Sequence, residues 1–138
     1  MTFKKPDKHN LFINIWKSMN DSNRGLAHIF RESGTVQQLM PFEICISVVL
    51  GIITKLIVLE WVILAMIQYA ILLTETINSA IEEVNDLVTL DDNLHVKRSK
   101  DMASGAVWLC HILCILCGFG FPIMHLCNFQ WWTYLIPG

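Results

Sequence analysis

The sequence predicts an all-α membrane protein, with an amphipathic N-terminal helical region in the membrane interface followed by three transmembrane helices. Three observations carry this. The 138 residues are 54% hydrophobic with a mean hydropathy of +0.48, and the apolar residues come in long blocks where a soluble domain of this size would intersperse them. The apolar stretches carry helical spacing and few turn signals. The charges are segregated: of ten Lys and Arg, six precede residue 32, three lie between 97 and 100, and only Lys55 stands elsewhere. The formal net charge of −2 gives no reason to expect a nucleic-acid partner.

Residues 1–10 read as a polar lead, not as a cleavable signal peptide, so the first span is expected to insert directly. From Leu11, the positions Leu11, Phe12, Ile15, Trp16 and Met19 form one apolar helix face. Asn20-Asp21-Ser22-Asn23 is expected to interrupt the helix and offer N-caps, after which Leu26, Ile29 and Phe30 resume the apolar face. A basic amphipathic segment of this kind, about 11–33, suits the membrane interface.

The apolar run from Val36 to Leu73 is too long for one span of about 20 residues. It divides into a first span over 36–55, a tight turn around Thr54 to Glu60, and a second helix over about 60–89 with Trp61 as an interface anchor. Glu43, inside the first span, either bonds a neighbouring helix or lines a polar site shared with the second span. A polar connection follows, and Ser99 or Lys100 is expected to open a third helix, about 100–121, with Asp101 in its first turn. Ala103-Ser104-Gly105-Ala106 offers small side chains for close helix approach, and Phe121-Pro122 marks an end or a kink. Residues 124–138, with Trp131, Trp132 and Tyr134, read as an interfacial tail. Cys45, Cys110, Cys114 and Cys117 lie in apolar runs, where cysteine packs as a small apolar residue; His111 beside them is not expected to make a metal site, and the histidines show no usable pattern.

Three spans place the N-terminal arm and the 85–101 loop on one side, with nine of the ten basic residues, so that side is expected to be cytoplasmic. The chemistry concentrates there. Glu75, Asn78, Glu82 and Asp86 are spaced three, four and four residues apart and share one narrow helical stripe, which Gln68 extends, while Ile77, Ile81 and Val84 face elsewhere. Each ionisable group near lipid costs several kcal/mol unless paired, hydrated or metal-bound. Three acids and an amide exceed what a polar seam between helices needs. Neither G-x-x-x-x-G-K-[ST] nor G-x-G-x-x-G occurs, so phosphoryl transfer here would use another scaffold. It would still need metal on the phosphates, a positive charge, and a group to orient the acceptor hydroxyl. Glu82 with a carboxylate of the arm suits Mg²⁺, Lys100 a γ-phosphate, and Glu75, deeper on the stripe, the proton of a lipid hydroxyl.

The pattern E-x-x-N-S-A-x-E-x-x-x-D at Glu75 to Asp86, followed by Lys100-Asp101-Met102, resembles the prokaryotic diacylglycerol kinase family, small membrane lipid kinases that include undecaprenol kinases. The specific part of the resemblance spans about Glu75 to Val107. It implies ATP as phosphoryl donor, Glu75 as catalytic base with Asn78 beside it, Glu82 as metal ligand, and Asp86, Lys100 and Asp101 in the nucleotide and metal site. Ser104 joins Glu75 and Asn78 toward the lipid. It also implies a homotrimer with active sites shared between subunits, in a bacterial inner membrane with the N-terminus cytoplasmic. The family expects a Glu shortly after a Lys/Arg-Gly pair; Arg24-Gly25 is present and Glu32 is the natural match as metal ligand, although Ser33 holds the ungapped position. Asn14 and Asp21 stand where the family often has an Arg and a Tyr near the nucleotide, which Arg24 or Lys17 would have to replace. Diacylglycerol is the first choice of acceptor and undecaprenol the second; the rivals are a catalytically degenerate member and a structural membrane oligomer.

Overall fold

The computed structural model describes residues 11–88 and 93–127, and the elements these form are all helices. They are α1 (Leu11–Glu32), a π-helical turn (Thr35–Leu39), α2 (Met40–Thr54), α3 (Val58–Val88) and α4 (Leu94–Leu126). Thr35–Thr54, Val58–Val88 and Leu94–Leu126 are each long and apolar enough to cross a membrane. The expected lead over 1–10, the end of the second helix at Thr89 and residues 128–138 of the expected tail lie outside the described residues; the tail's expected start, Met124 to Leu126, is instead the last turn of α4.

The expected interruption at Asn20 to Asn23 does not occur: α1 runs unbroken through these residues. Their side chains are exposed and compete little with the backbone; Ser22 donates back to the Ser18 carbonyl at 2.8 Å, which a helix accommodates. The break comes instead at Ser33. There Ser33 Oγ accepts the Val36 N–H at 3.2 Å, and the Gln37 side chain donates to the carbonyls of Phe30 (3.3 Å) and Arg31, satisfying groups that the end of α1 leaves open. The π-helical turn lies directly before Pro41, which has no N–H to give and sits at the start of α2, where none is needed.

Lys55 ends α2 in the left-handed conformation (φ 58°), and the Leu56 N–H returns to the Gly51 carbonyl at 3.0 Å. Gly51 has no side chain because the Trp61 ring occupies that space. Glu60, placed by the sequence reading in the turn, lies in the first turn of α3 and is fully buried. Its carboxylate accepts the Ile57 N–H at 2.9 Å and meets His125 Nε2 at 2.9 Å, tying the start of α3 to the end of α4.

The helix expected from Ser99 or Lys100 opens five residues earlier or more, at Leu94, because Asn93 caps it by accepting the His95 N–H at 2.8 Å. Asp101 therefore lies two turns inside α4 and outside the first-turn dipole field. Pro122 neither ends nor interrupts the helix, which continues to Leu126. The principal interface joins α3 to α4, and α2 packs mainly on α4. Ile29, Val36, Met40, Ile67, Ile71 and Cys114 form the core, which therefore draws on every element. Outside it, Phe42, Ile53, Met66, Tyr69, Leu109 and Leu116 face outward, as spans in lipid require. Three apolar helices fit a bacterial inner membrane.

Candidate functional site

At about 1.5 Å per residue, α3 is about 46 Å long, well over a hydrocarbon core of about 30 Å. Counted from Val58, Glu75 lies about 26 Å along the axis and Asp86 about 42 Å. The acidic stripe thus starts near one edge of the apolar slab and runs out of it.

Three helix faces converge on this stripe around a cavity of about 550 Å³. From α3 come Glu75, Asn78, Ser79, Glu82, Glu83 and Asp86; from α4, Ser104, Val107, Trp108 and His111; from α1 and the segment after it, His28, Ile29, Glu32 and Ser33, with Gly34, Thr35 and Leu39. Within each helix the spacings are of one, three and four residues, the rows of a single face. The stripe is graded. Glu75 (5% exposed) and Asn78 (9%) are buried, whereas Glu82 and Asp86 are exposed. Asn78 Nδ2 donates to Glu82 Oε1 at 3.1 Å, and its Oδ1 is buried without a hydrogen-bond partner among the described residues. Lys100 Nζ contacts Asp86 Oδ1 at 2.6 Å and carries positive charge to the exposed end. Gln68, one heptad below Glu75, does not join the cavity; it donates to Cys114 Sγ at 3.0 Å within the α3–α4 interface.

On the arm, both Glu32 and Ser33 line the cavity. The Ser33 hydroxyl is engaged by Val36, so Glu32 brings the carboxylate, next to His28 Nδ1 at 3.3 Å. His28 Nε2 also approaches Glu83 Oε1 at 4.0 Å, so one imidazole spans the two acidic faces of α1 and α3. Three expected residues do not line this cavity: Lys100, which adjoins it through Asp86, and Arg24 and Asp101, which stand apart. Arg24 is exposed and paired with Asp21, because an unbroken α1 carries it two turns, about 12 Å, from Glu32. Asp101, exposed, points about 100° away from Lys100 around α4 and does not line the cavity.

The pairings of the histidines are what the sequence reading missed. Besides His28 and His125, His111 (3% exposed) lies between α2 and α4 with Nδ1 2.8 Å from Glu43 Oε1. A signal existed: Glu43 and Glu60 are acids in apolar runs, His111 and His125 are titratable groups in the third apolar run, and buried ionisable groups require partners. Glu43 is bound to a neighbouring helix and does not line the main cavity.

Among the described residues no three His, Cys, Asp or Glu side chains form a ready-made metal site. The Glu82 and Glu32 carboxylates line one cavity, and their oxygen donors suit a Mg²⁺ ion that takes one or two protein ligands and completes its shell with water and phosphate.

Residues 20–121 match the family model described as prokaryotic diacylglycerol kinase. The chain is 27% identical over 112 residues to the undecaprenol kinase of Bacillus subtilis (strain 168), covering 81% of this chain and 90% of that protein. It is 31% identical over 104 residues to the diacylglycerol kinase of Helicobacter pylori (strain J99), covering 75% and 80% respectively. No solved structure gives a significant match. The family match covers the first two spans, α4 as far as residue 121 and every cavity-lining side chain described above, and from it we conclude that the chain belongs to the prokaryotic diacylglycerol kinase family and is a lipid kinase.

Proposed function

We propose that the protein transfers the γ-phosphate of ATP to the hydroxyl of diacylglycerol, giving phosphatidate, at the cytoplasmic face of a bacterial inner membrane. The observation that carries this reading is the gradient along one cavity, from a buried carboxylate at the edge of the apolar slab to exposed acids beyond it, the last of which, Asp86, is paired with Lys100. A lipid hydroxyl arrives at the buried end and a nucleotide at the exposed end. Glu75, shielded from water, accepts the hydroxyl proton as the lipid oxygen forms its bond to the γ-phosphorus and the β–γ bridging O–P bond breaks, releasing ADP. Asn78 and Ser104 hold the acceptor, and Asn78 also fixes Glu82. Asp86 holds Lys100 until phosphate oxygens compete for its ammonium. When bound, Mg²⁺ supplies charge neutralisation on the phosphates, with Glu82 and Glu32 as its protein ligands.

Asp101 and Arg24, outside this cavity, contribute to a nucleotide site across the subunit boundary of a homotrimer. α1, with Phe12, Trp16 and Met19 exposed, lies in the cytoplasmic interface, and nine of ten basic residues on that side support the orientation. Undecaprenol is the second acceptor, favoured by the Bacillus relative whose coverage is the greater. The test is transfer from γ-labelled ATP in mixed micelles offered diacylglycerol and undecaprenol in parallel. Label should enter diacylglycerol and fall at least about a hundredfold in Glu75→Gln. A folded protein that labels neither lipid, or a Glu75→Gln variant that retains transfer, overturns the reading.

A further inference from the structure

The buried end of the cavity holds a group that the transfer chemistry above does not use. His111 lines the cavity alongside Glu75 and Asn78, is 3% exposed, and has Nδ1 bound to Glu43 at 2.8 Å. Its Nε2 is buried with no hydrogen-bond partner among the described residues. The Glu43 carboxyl takes Nδ1, so Nε2 is the ring nitrogen left open to a ligand, as a donor when it carries the ring hydrogen. A polar atom left buried without a partner is costly, which favours a ligand that supplies one.

A second feature adjoins it. An apolar groove of about 230 Å³ between α2 and α4 is lined by Phe42, Ile46, Ile115 and Phe119, with Glu43 in its wall; Leu39 borders both the groove and the main cavity. Its volume and apolar lining suit a stretch of acyl chain. Glu75 and His111 line one cavity and Glu43 lines the groove, so a lipid with its hydroxyl near Glu75 and a chain in the groove passes the Glu43–His111 pair. A diacylglycerol has ester carbonyls close to its hydroxyl, and a polyprenol has none.

We infer that His111, oriented by Glu43, binds the acceptor lipid by donating from Nε2 to an ester carbonyl, and so selects diacylglycerol over lipids that carry only a hydroxyl. This rests on the kinase reading of the cavity. It assigns Glu43 a positioning role and the α2–α4 groove an acyl chain.

The experiment compares 1,2-diacylglycerol with a 1,2-dialkylglycerol of matched chain length, which keeps the hydroxyl and lacks the carbonyls, and with undecaprenol. Wild type should show a KM about tenfold lower for the ester than for the ether lipid. His111→Phe should raise the ester KM more than the ether KM, so that the preference falls from about tenfold toward one. His111→Gln, which keeps a donor, should restore part of the preference. Equal KM values for ester and ether lipid in wild type overturn the inference without any variant, as does equal loss on both lipids in His111→Phe. Label on undecaprenol alone overturns it while leaving a lipid kinase. No label on any of the three lipids is the separate failure of the kinase reading.

Discussion

Asn78→Asp is the substitution whose consequence the structure sets most narrowly. In the native protein the Asn78 amide donates to Glu82 Oε1 at 3.1 Å. The change replaces that donor with a carboxylate at the same separation. Two unit charges 3.1 Å apart repel by about 5 kcal/mol at an effective dielectric of about 20, and by about 1.3 kcal/mol in bulk water at about 80. Asn78 is buried and Glu82 exposed, so the cost falls between these limits. Asn78→Leu is the control. It loses a hydrogen bond to a charged group, about 1.5–3 kcal/mol, and also removes the buried, unpartnered Oδ1, whose burial costs about 1–3 kcal/mol, so its stability should stay within about 1 kcal/mol of wild type. Unfolding by sodium dodecyl sulfate in mixed micelles, followed by circular dichroism, reads both variants. At neutral pH Asn78→Asp should be the less stable by about 1–5 kcal/mol. The repulsion makes the folded pair take up a proton more readily than the unfolded chain, so stability falls as pH rises and the gap should close on acidification. Both variants should lose about a hundredfold in transfer, since each misplaces Glu82. If the two variants unfold together at neutral pH, Asn78 does not face Glu82 as described, and the graded cavity loses its central contact.

Other substitutions separate fold from chemistry. His125→Ala should cost about 1.5–3 kcal/mol by the same unfolding assay, because it removes one hydrogen-bond partner of the fully buried Glu60 carboxylate, whereas Glu60→Gln, still able to accept the Ile57 N–H, should cost less. Gly51→Ala should destabilise by about 1–3 kcal/mol, since a methyl there would lie 2.5 Å from the Trp61 ring; normal stability would mean the ring moves freely. Lys100→Met removes a half-exposed pair with Asp86, so unfolding should be nearly unchanged while lipid phosphorylation falls more than about a hundredfold; retained transfer would remove Lys100 from the nucleotide site.

The order of helices and the principal face of the site were legible along the chain, because both are periodic properties. Apolar runs longer than one span must cross the membrane, and residues at spacings of three and four must share a face once the segment is helical. Glu75, Asn78, Glu82 and Asp86 follow from that alone, and the structure brings Glu32 and Ser104 to the same cavity. The helix ends were less legible. A single side-chain cap at Asn93 moved the start of α4 by more than a turn, and the exposed Asn20 to Asn23 did not break α1, because capping residues act only where the chain already turns. Whether a charge faces its partner depends on how the helices are rotated and offset, which no local spacing encodes. Arg24 and Asp101 stayed outside the cavity for that reason, and His28, His111 and His125 entered the structure's ion pairs for the same reason. Periodicity determined that this chain spans a membrane with an acidic stripe at its edge. Only the packing of α2 and α3 on α4 decided which buried acids meet a histidine and which, like Glu75, meet a cavity, because those contacts join residues far apart in the chain.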